Sequence, residues 1–156
     1  MSQSKRPRPI NVLLIEDNPG DVDLAKAALR KCEVANQVTV AGDGEEAMLL
    51  LRRSADSPHT PLPDLVLLDL NMPRKSGIEV LAEIKEDPLL RRIPVLIVTS
   101  SIAEQDILRS YELHANCYIH KPIGLEEFRK VVKAIDDFWF SIVKLPSAIS
   151  NEAPTA

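Results

Sequence analysis

Five short apolar runs recur along this sequence, and their spacing restricts the fold more than any other feature. They are INVLLI (10–15), QVTVA (37–41), DLVLLD (64–69), PVLIVTS (94–100) and NCYIHKP (116–122). Each is followed by a longer segment with helical periodicity. Val22, Ala25 and Leu29 recur within 21–32, and 44–53 is helical throughout. Ile78, Leu81 and Ile84 share one side of 77–86, and a weaker helix covers 103–114. One long helix is expected over 125–143. Strand and helix alternate five times, which implies a parallel sheet covered by helices on both faces. The nearly continuous apolar strands fit burial on both sides. The expected class is α/β, a doubly wound five-stranded parallel sheet in the order 2-1-3-4-5, extended by its C-terminal helix.

The domain organisation is simple. Residues 1–8 read as a flexible basic tail, 9–145 as one domain and 146–156 as a disordered tail. The Pro-rich stretch 54–63 reads as a surface loop. There are 19 basic and 23 acidic residues, a net charge of −4. That balance lacks the basic footprint of a nucleic-acid binder. No apolar stretch approaches the length of a membrane span. Cys32 and Cys117 have no metal-ligand spacing and read as buried free thiols of a cytoplasmic protein. His59 and His114 read as solvent-facing.

The polar residues fall where the strands end. Glu16 and Asp17 follow the first run, Asp69 closes the third, Thr99 and Ser100 end the fourth, and Lys121 follows the fifth. In a parallel sheet these ends share one edge. With the order 2-1-3-4-5, ligands bind where strands 1 and 3 meet, and those two strands carry the acids. Three converging carboxylates repel one another unless a cation joins them. An all-oxygen donor set favours Mg²⁺ over zinc or copper. A carboxylate beside such a cation, a lysine and a hydroxyl is equipped to accept a phosphoryl group. Positive charge and donors would neutralise the equatorial oxygens.

The set Glu16-Asp17, Asp69-x-x-Met72-Pro73-x-x-x-Gly77, Thr99-Ser100 and Tyr118-x-x-Lys121-Pro122 resembles the receiver domain of two-component response regulators. The likeness spans roughly residues 9 to 135. The strings EDNPGDVDLAKAAL, DLNMPRKSGIEVLAEIK and SYELHANCYI are similar to those of small response regulators that partner phytochromes in cyanobacteria. The resemblance implies a flavodoxin-like receiver fold with Asp69 as the phosphoacceptor. Asp17 and Asp69 would bind Mg²⁺, Glu16 would hold it through water, and the Asn71 main-chain carbonyl would be a further ligand. Mn²⁺ or Ca²⁺ can take its place in crystals. Lys121 would pair with the phosphoryl oxygens, and the Thr99 hydroxyl would reach the group after transfer. Ser100 would leave access for donor and water. Thr99 and Tyr118 would form the conformational switch, and the Lys121–Pro122 bond would be cis. Glu16 departs from the aspartate many receivers carry there. The implied partners are a sensor histidine kinase, of the phytochrome type, and a downstream protein.

The last helix carries a second expectation. Residues 125–143 would span roughly 28 Å, longer than a strand layer of ~17–20 Å. Its final turns would overhang the sheet and expose Phe138, Trp139, Phe140 and Ile142, the candidates for a homodimer interface. Three other functions compete with the receiver. An Asp-nucleophile phosphatase wants a second Asp two residues after the first, where this chain has Asn71. A flavodoxin-like cofactor binder wants a phosphate-friendly loop, where this chain has EDNPGD. A receiver-shaped docking module that is never phosphorylated stays open on sequence alone.

Overall fold

The computed structural model describes residues 9–57, 61–72, 74–100, 104–121 and 125–140. The tails 1–8 and 146–156, His59, the Lys121–Pro122 bond and Ile142 lie outside the described residues, as do the side chains of Trp139 and Phe140.

Five strands form one parallel sheet in the order β2-β1-β3-β4-β5, as expected. They are β1 (Ile10–Ile15), β2 (Asn36–Ala41), β3 (Leu65–Leu68), β4 (Val95–Thr99) and β5 (Cys117–His120). The helices are α1 (Pro19–Leu29), α2 (Gly44–Asp56), α3 (Gly77–Glu86), α4 (Glu104–Glu112) and α5 (Leu125–Ile135), with a short 3₁₀ turn at Leu90–Arg92. β3 and β4 are buried along their whole length, which is why their sequences are apolar without alternation.

Alternate residues of each strand serve opposite cores. Leu13, Ile15, Val66, Leu68, Val95 and Ile97 pack on one face against Met48 and Leu51 of α2 and Val80, Leu81 and Ile84 of α3. Val12, Leu14, Leu65, Leu67, Leu96 and Val98 pack on the other against Ala25 and Leu29 of α1 and Phe128, Val132 and Ile135 of α5. Each fully buried Leu or Ile contributes roughly 1.5–3 kcal/mol. The two cores hold the strand ends in register, and the strand ends hold the site.

Several boundaries differ from the sequence expectation. Helix α1 starts two residues early, because the Asn18 side chain caps it by accepting the Asp21 N–H at 3.1 Å and Pro19 occupies the first turn; proline there loses no helical hydrogen bond. It ends at Leu29 rather than Cys32. Helix α2 runs on to Asp56, into the expected loop. Helix α3 opens on a capping box, Ser76 and Glu79 each accepting the other's backbone N–H.

The last helix runs over Leu125–Phe140 but changes character on the way: it is α to Ile135 and a π turn over Asp136–Phe140, while 141–143 of the expected span lie outside the described residues. At that break the buried Asp136 carboxylate accepts the N–H groups of Glu33 (3.0 Å) and Val34 (3.4 Å) in the α1–β2 loop. The widened turn accompanies this side chain's inward pull. Phe138 is half exposed. Cys32 and Cys117 are free but only partly buried. Burial pushes both thiols up to about 11, so neither is a reactive thiolate at neutral pH.

Helix α4 ends in an unusual residue. His114 has φ 69°, and its N–H bonds to Tyr111 O while that of Ala115 bonds to Ser110 O. This is the paired closure that glycine ordinarily supplies. His114→Gly should therefore stabilise the protein by about 0.5–1 kcal/mol, read as a raised urea midpoint at unchanged slope. A lowered midpoint would mean that the exposed imidazole contributes more than its backbone strain costs.

Candidate functional site

The C-terminal ends of β1, β3, β4 and β5 meet at one edge, and the acids, hydroxyl and lysine expected there are brought together. Asp69 follows β3. Its N–H donates to Ile15 O at 3.0 Å, which anchors it against the end of β1. Its Oδ1 accepts the Asn71 N–H at 3.1 Å, and the Thr99 hydroxyl also hydrogen-bonds it. Gly77 lets α3 approach from below: its N–H donates to Leu70 O at 3.1 Å, and a Cβ there would come within 2.5 Å of Leu70 Cα.

Lys121 is set by its backbone N–H, which donates to Thr99 O at 2.6 Å. Its ammonium reaches Glu16 Oε2 at 2.7 Å, Asp21 Oδ2 at 2.9 Å and Asp69 Oδ2 at 3.0 Å. Glu16 and Asp69 are only 5% and 4% exposed. Two acids buried at this depth require compensation.

The electrostatics differ between the two. Burial pushes Glu16 up to about 7; the Lys121 hydrogen bond pulls against this and the Asp69 charge adds to it. Burial also acts on Asp69, but hydrogen bonds from Thr99, Asn71 and Lys121 outweigh it and hold the carboxyl below its usual range. Lys121 is held above its usual range: burial would lower it, and the three carboxylates more than offset that. The poised carboxylate is thus Asp69.

One carboxylate oxygen each from Glu16, Asp17 and Asp69 lie within 4.8 Å of one another, with Asp17 exposed and the other two buried. This donor set is all oxygen and suits a hard divalent cation. The lysine ammonium among the same carboxylates shows that the pocket is built for positive charge. Asn71 lies at the rim, its side-chain amide 3.4 Å from Thr99 Oγ1 and 3.5 Å from Ser100 Oγ. Ser100 is exposed.

Tyr118 is not in the pocket. It pairs across the sheet with Ile97, two residues before Thr99, and its half-buried ring packs on the α2–α3 core. Period-two alternation puts it on the Thr99 face of the sheet. Asp21 is the residue the sequence reading missed. With Asn18 as the cap it is the third residue of α1, and this first turn overlies the pocket. The signal was available in Asn18-Pro19, a cap followed by a first-turn proline.

Comparison with known proteins agrees with this geometry. Residues 12–133 match the response regulator receiver domain family. The response regulator Rcp1 of Synechocystis sp. is 43% identical over 148 residues, covering 95% of this chain and all of that protein. Among solved structures, the phosphorylated cyanobacterial phytochrome response regulator RcpA superposes with a TM-score of 0.83 at 47% identity, over 88% of this chain and 99% of that one. The Mn²⁺-bound form of Rcp1 gives 0.81 at 43%, with the same coverage of each. Among the described residues no helix is long and apolar enough to cross a membrane. An acidic pocket on a sheet of this order, with a family match over residues 12–133 and a likeness to Rcp1 over its whole length, leaves one conclusion: the chain belongs to the response regulator receiver domain family.

Proposed function

We propose that this chain is a single-domain response regulator that takes a phosphoryl group onto Asp69 from a sensor histidine kinase of the bacterial phytochrome type. The observation that carries this is Asp69 itself. It is a buried carboxylate held ionised by Thr99, Asn71 and Lys121, beside two further acids and below an exposed rim. The phytochrome assignment is supported by the likeness to RcpA and Rcp1. Residues 9–145 would act as one domain.

In the transfer, an Asp69 oxygen attacks phosphorus, the phosphorus–nitrogen bond of the donor histidine breaks, and the imidazole leaves with a proton. Lys121 neutralises the charge of the arriving group, and Thr99 donates to it. Mg²⁺, held by Asp17, Asp69 and the Asn71 carbonyl with Glu16 through water, would supply further charge neutralisation. Water later cleaves the mixed anhydride. Movement of Thr99 would be passed along the same sheet face to Tyr118, altering the surface that a downstream protein reads. Phe138, half exposed on the π turn, would form part of a homodimer contact with its neighbours Trp139, Phe140 and Ile142. Sedimentation that gives a concentration-independent monomer would remove that contact.

The test is the intact mass after incubation with a small acyl phosphate and Mg²⁺. A phosphoryl-sized gain is expected, labile to hydroxylamine and absent in Asp69→Asn and with chelator. No gain even with phosphorylated kinase present would leave an unphosphorylated docking module.

Metal binding should depend on pH. Glu16 carries a proton below about 7, and a cation must displace it. Mg²⁺ affinity should therefore rise about tenfold per pH unit up to that value and then level off. Calorimetric titration across the range checks this, with Glu16→Gln expected to flatten the profile. An equally steep profile in Glu16→Gln would assign the proton to another group.

A further inference from the structure

The Lys121 ammonium has three N–H groups, and three carboxylates already take them. Glu16 lies at 2.7 Å, Asp21 at 2.9 Å and Asp69 at 3.0 Å. A phosphoryl oxygen on Asp69 can gain a bond from this ammonium only when one of the three gives way. They are not equally able to do so. Glu16 Oε1 also accepts the Asn18 N–H at 3.1 Å, and Asp69 is held by Asn71 and Thr99. Both are almost fully buried. The Asp21 side chain is 27% exposed and stands on the first turn of α1, where water can replace the lysine.

Charge points the same way. Glu16, Asp21 and Asp69 all bond the Lys121 ammonium, and Asp17 stands in the cluster with Glu16 and Asp69. Phosphoryl transfer makes Asp69 more negative. Asp21, only an ammonium away, opposes that increase and takes no place in the carboxylate cluster suited to a cation.

Granting the receiver reading above, we propose that Asp21 is a positioning residue that tethers Lys121 away from the phosphoryl site, so that phosphorylation requires breaking the Lys121–Asp21 bond. Asp21 thereby slows phosphoryl uptake. The pocket is restrained by its own fourth carboxylate, a role separate from metal binding.

The experiment compares the wild-type full-length protein with Asp21→Asn and Asp21→Glu. Uptake from a small acyl phosphate with saturating Mg²⁺ should be about three- to tenfold faster in Asp21→Asn, the size of an ordinary net hydrogen bond, since asparagine keeps a weaker acceptor at a part-exposed position. Asp21→Glu, whose longer arm still reaches the ammonium, should return the rate toward wild type. The second readout is the ¹⁵N resonance of the Lys121 ammonium without metal. It should be observable in the wild type and Asp21→Glu, and broadened by proton exchange in Asp21→Asn. A merely structural role would lower thermal stability and slow uptake without this pattern. An unchanged or slower rate in Asp21→Asn overturns the proposal. If the wild type accepts no phosphoryl group even from phosphorylated kinase, the receiver reading fails instead. The resonance then decides the tether alone: a Lys121 signal identical in wild type and Asp21→Asn overturns it.

Discussion

Lys121→Met should lower the stability of the metal-free protein by about 3–5 kcal/mol near pH 8, and by clearly less near pH 5. The lysine side chain is 11% exposed and its two deepest partners are 5% and 4% exposed, so solvent screens little of the loss. The pH dependence follows from opposite shifts. Glu16 titrates near 7 in the folded chain against 4.5 unfolded. Its contribution to stability is full below 4.5 and is lost as pH rises through about 7. Asp69 is held below 3.8. Its contribution is present above that value and is lost as pH falls through the lowered one. The lysine's hydrogen bond and charge pull Glu16 down, so its loss raises that group further. Near pH 5 Glu16 is protonated with or without the lysine and only Asp69 loses its partner, whereas near pH 8 the variant must also either bear a second buried charge or hold Glu16 protonated against the solution. Urea unfolding at both pH values checks this, and Mg²⁺ should restore part of the loss at the higher one. Phosphoryl uptake should fall about 100-fold or more, as when a preorganised donor to a transition state is removed. Equal destabilisation at the two pH values would mean that Glu16 does not titrate between them.

Gly77→Ala should have the second-largest effect, through backbone rather than charge. The added methyl would run into the Asp69 carbonyl and Leu70 Cα, neither of which is a flexible side-chain end. Helix α3 or the Asp69 loop has to move. The expected cost is about 3 kcal/mol, at the upper end of ordinary overpacking, and it falls on Asp69, the proposed phosphoacceptor. Metal affinity and phosphoryl uptake should therefore drop in the fraction that still folds. Gly42→Ala is the control, because a Cβ there meets only the Glu46 carboxylate at ordinary contact distance. It should leave both readouts within about twofold of wild type, since surface changes away from special backbone positions are small. A Gly77→Ala protein with normal metal affinity would show that α3 can recede without carrying Asp69.

Much of this arrangement was legible before any coordinates. DLVLLD is apolar on both faces because β3 is central, and the run stops at Asp69 because the sheet edge stops there. The same logic located Glu16, Thr99 and Lys121, since parallel strands deliver their carboxyl ends to one side. Gly77 stands in the same motif as Asp69, and its close contact with the Asp69–Leu70 backbone is what ties α3 to that loop. Two things were not legible. The apolar spacing starts α1 at Asp21, two residues late, and so hides the turn that carries Asp21 over the pocket. The π turn was missed because its cause is tertiary. Asp136 reaches across to Glu33 and Val34, residues about a hundred positions earlier. Helical periodicity over 125–143 contains no trace of that pull.

The Asp136 contact also fixes which pole of the sheet the π turn occupies. Helix α5 begins beside Lys121 and ends laced to the loop that opens β2, at the far pole of the sheet from Asp69. A fluorescent label placed on the exposed Asp137 would thus sit on the side turned away from Asp69. Labels at that pole are the ones to choose for watching the pocket without standing in its way.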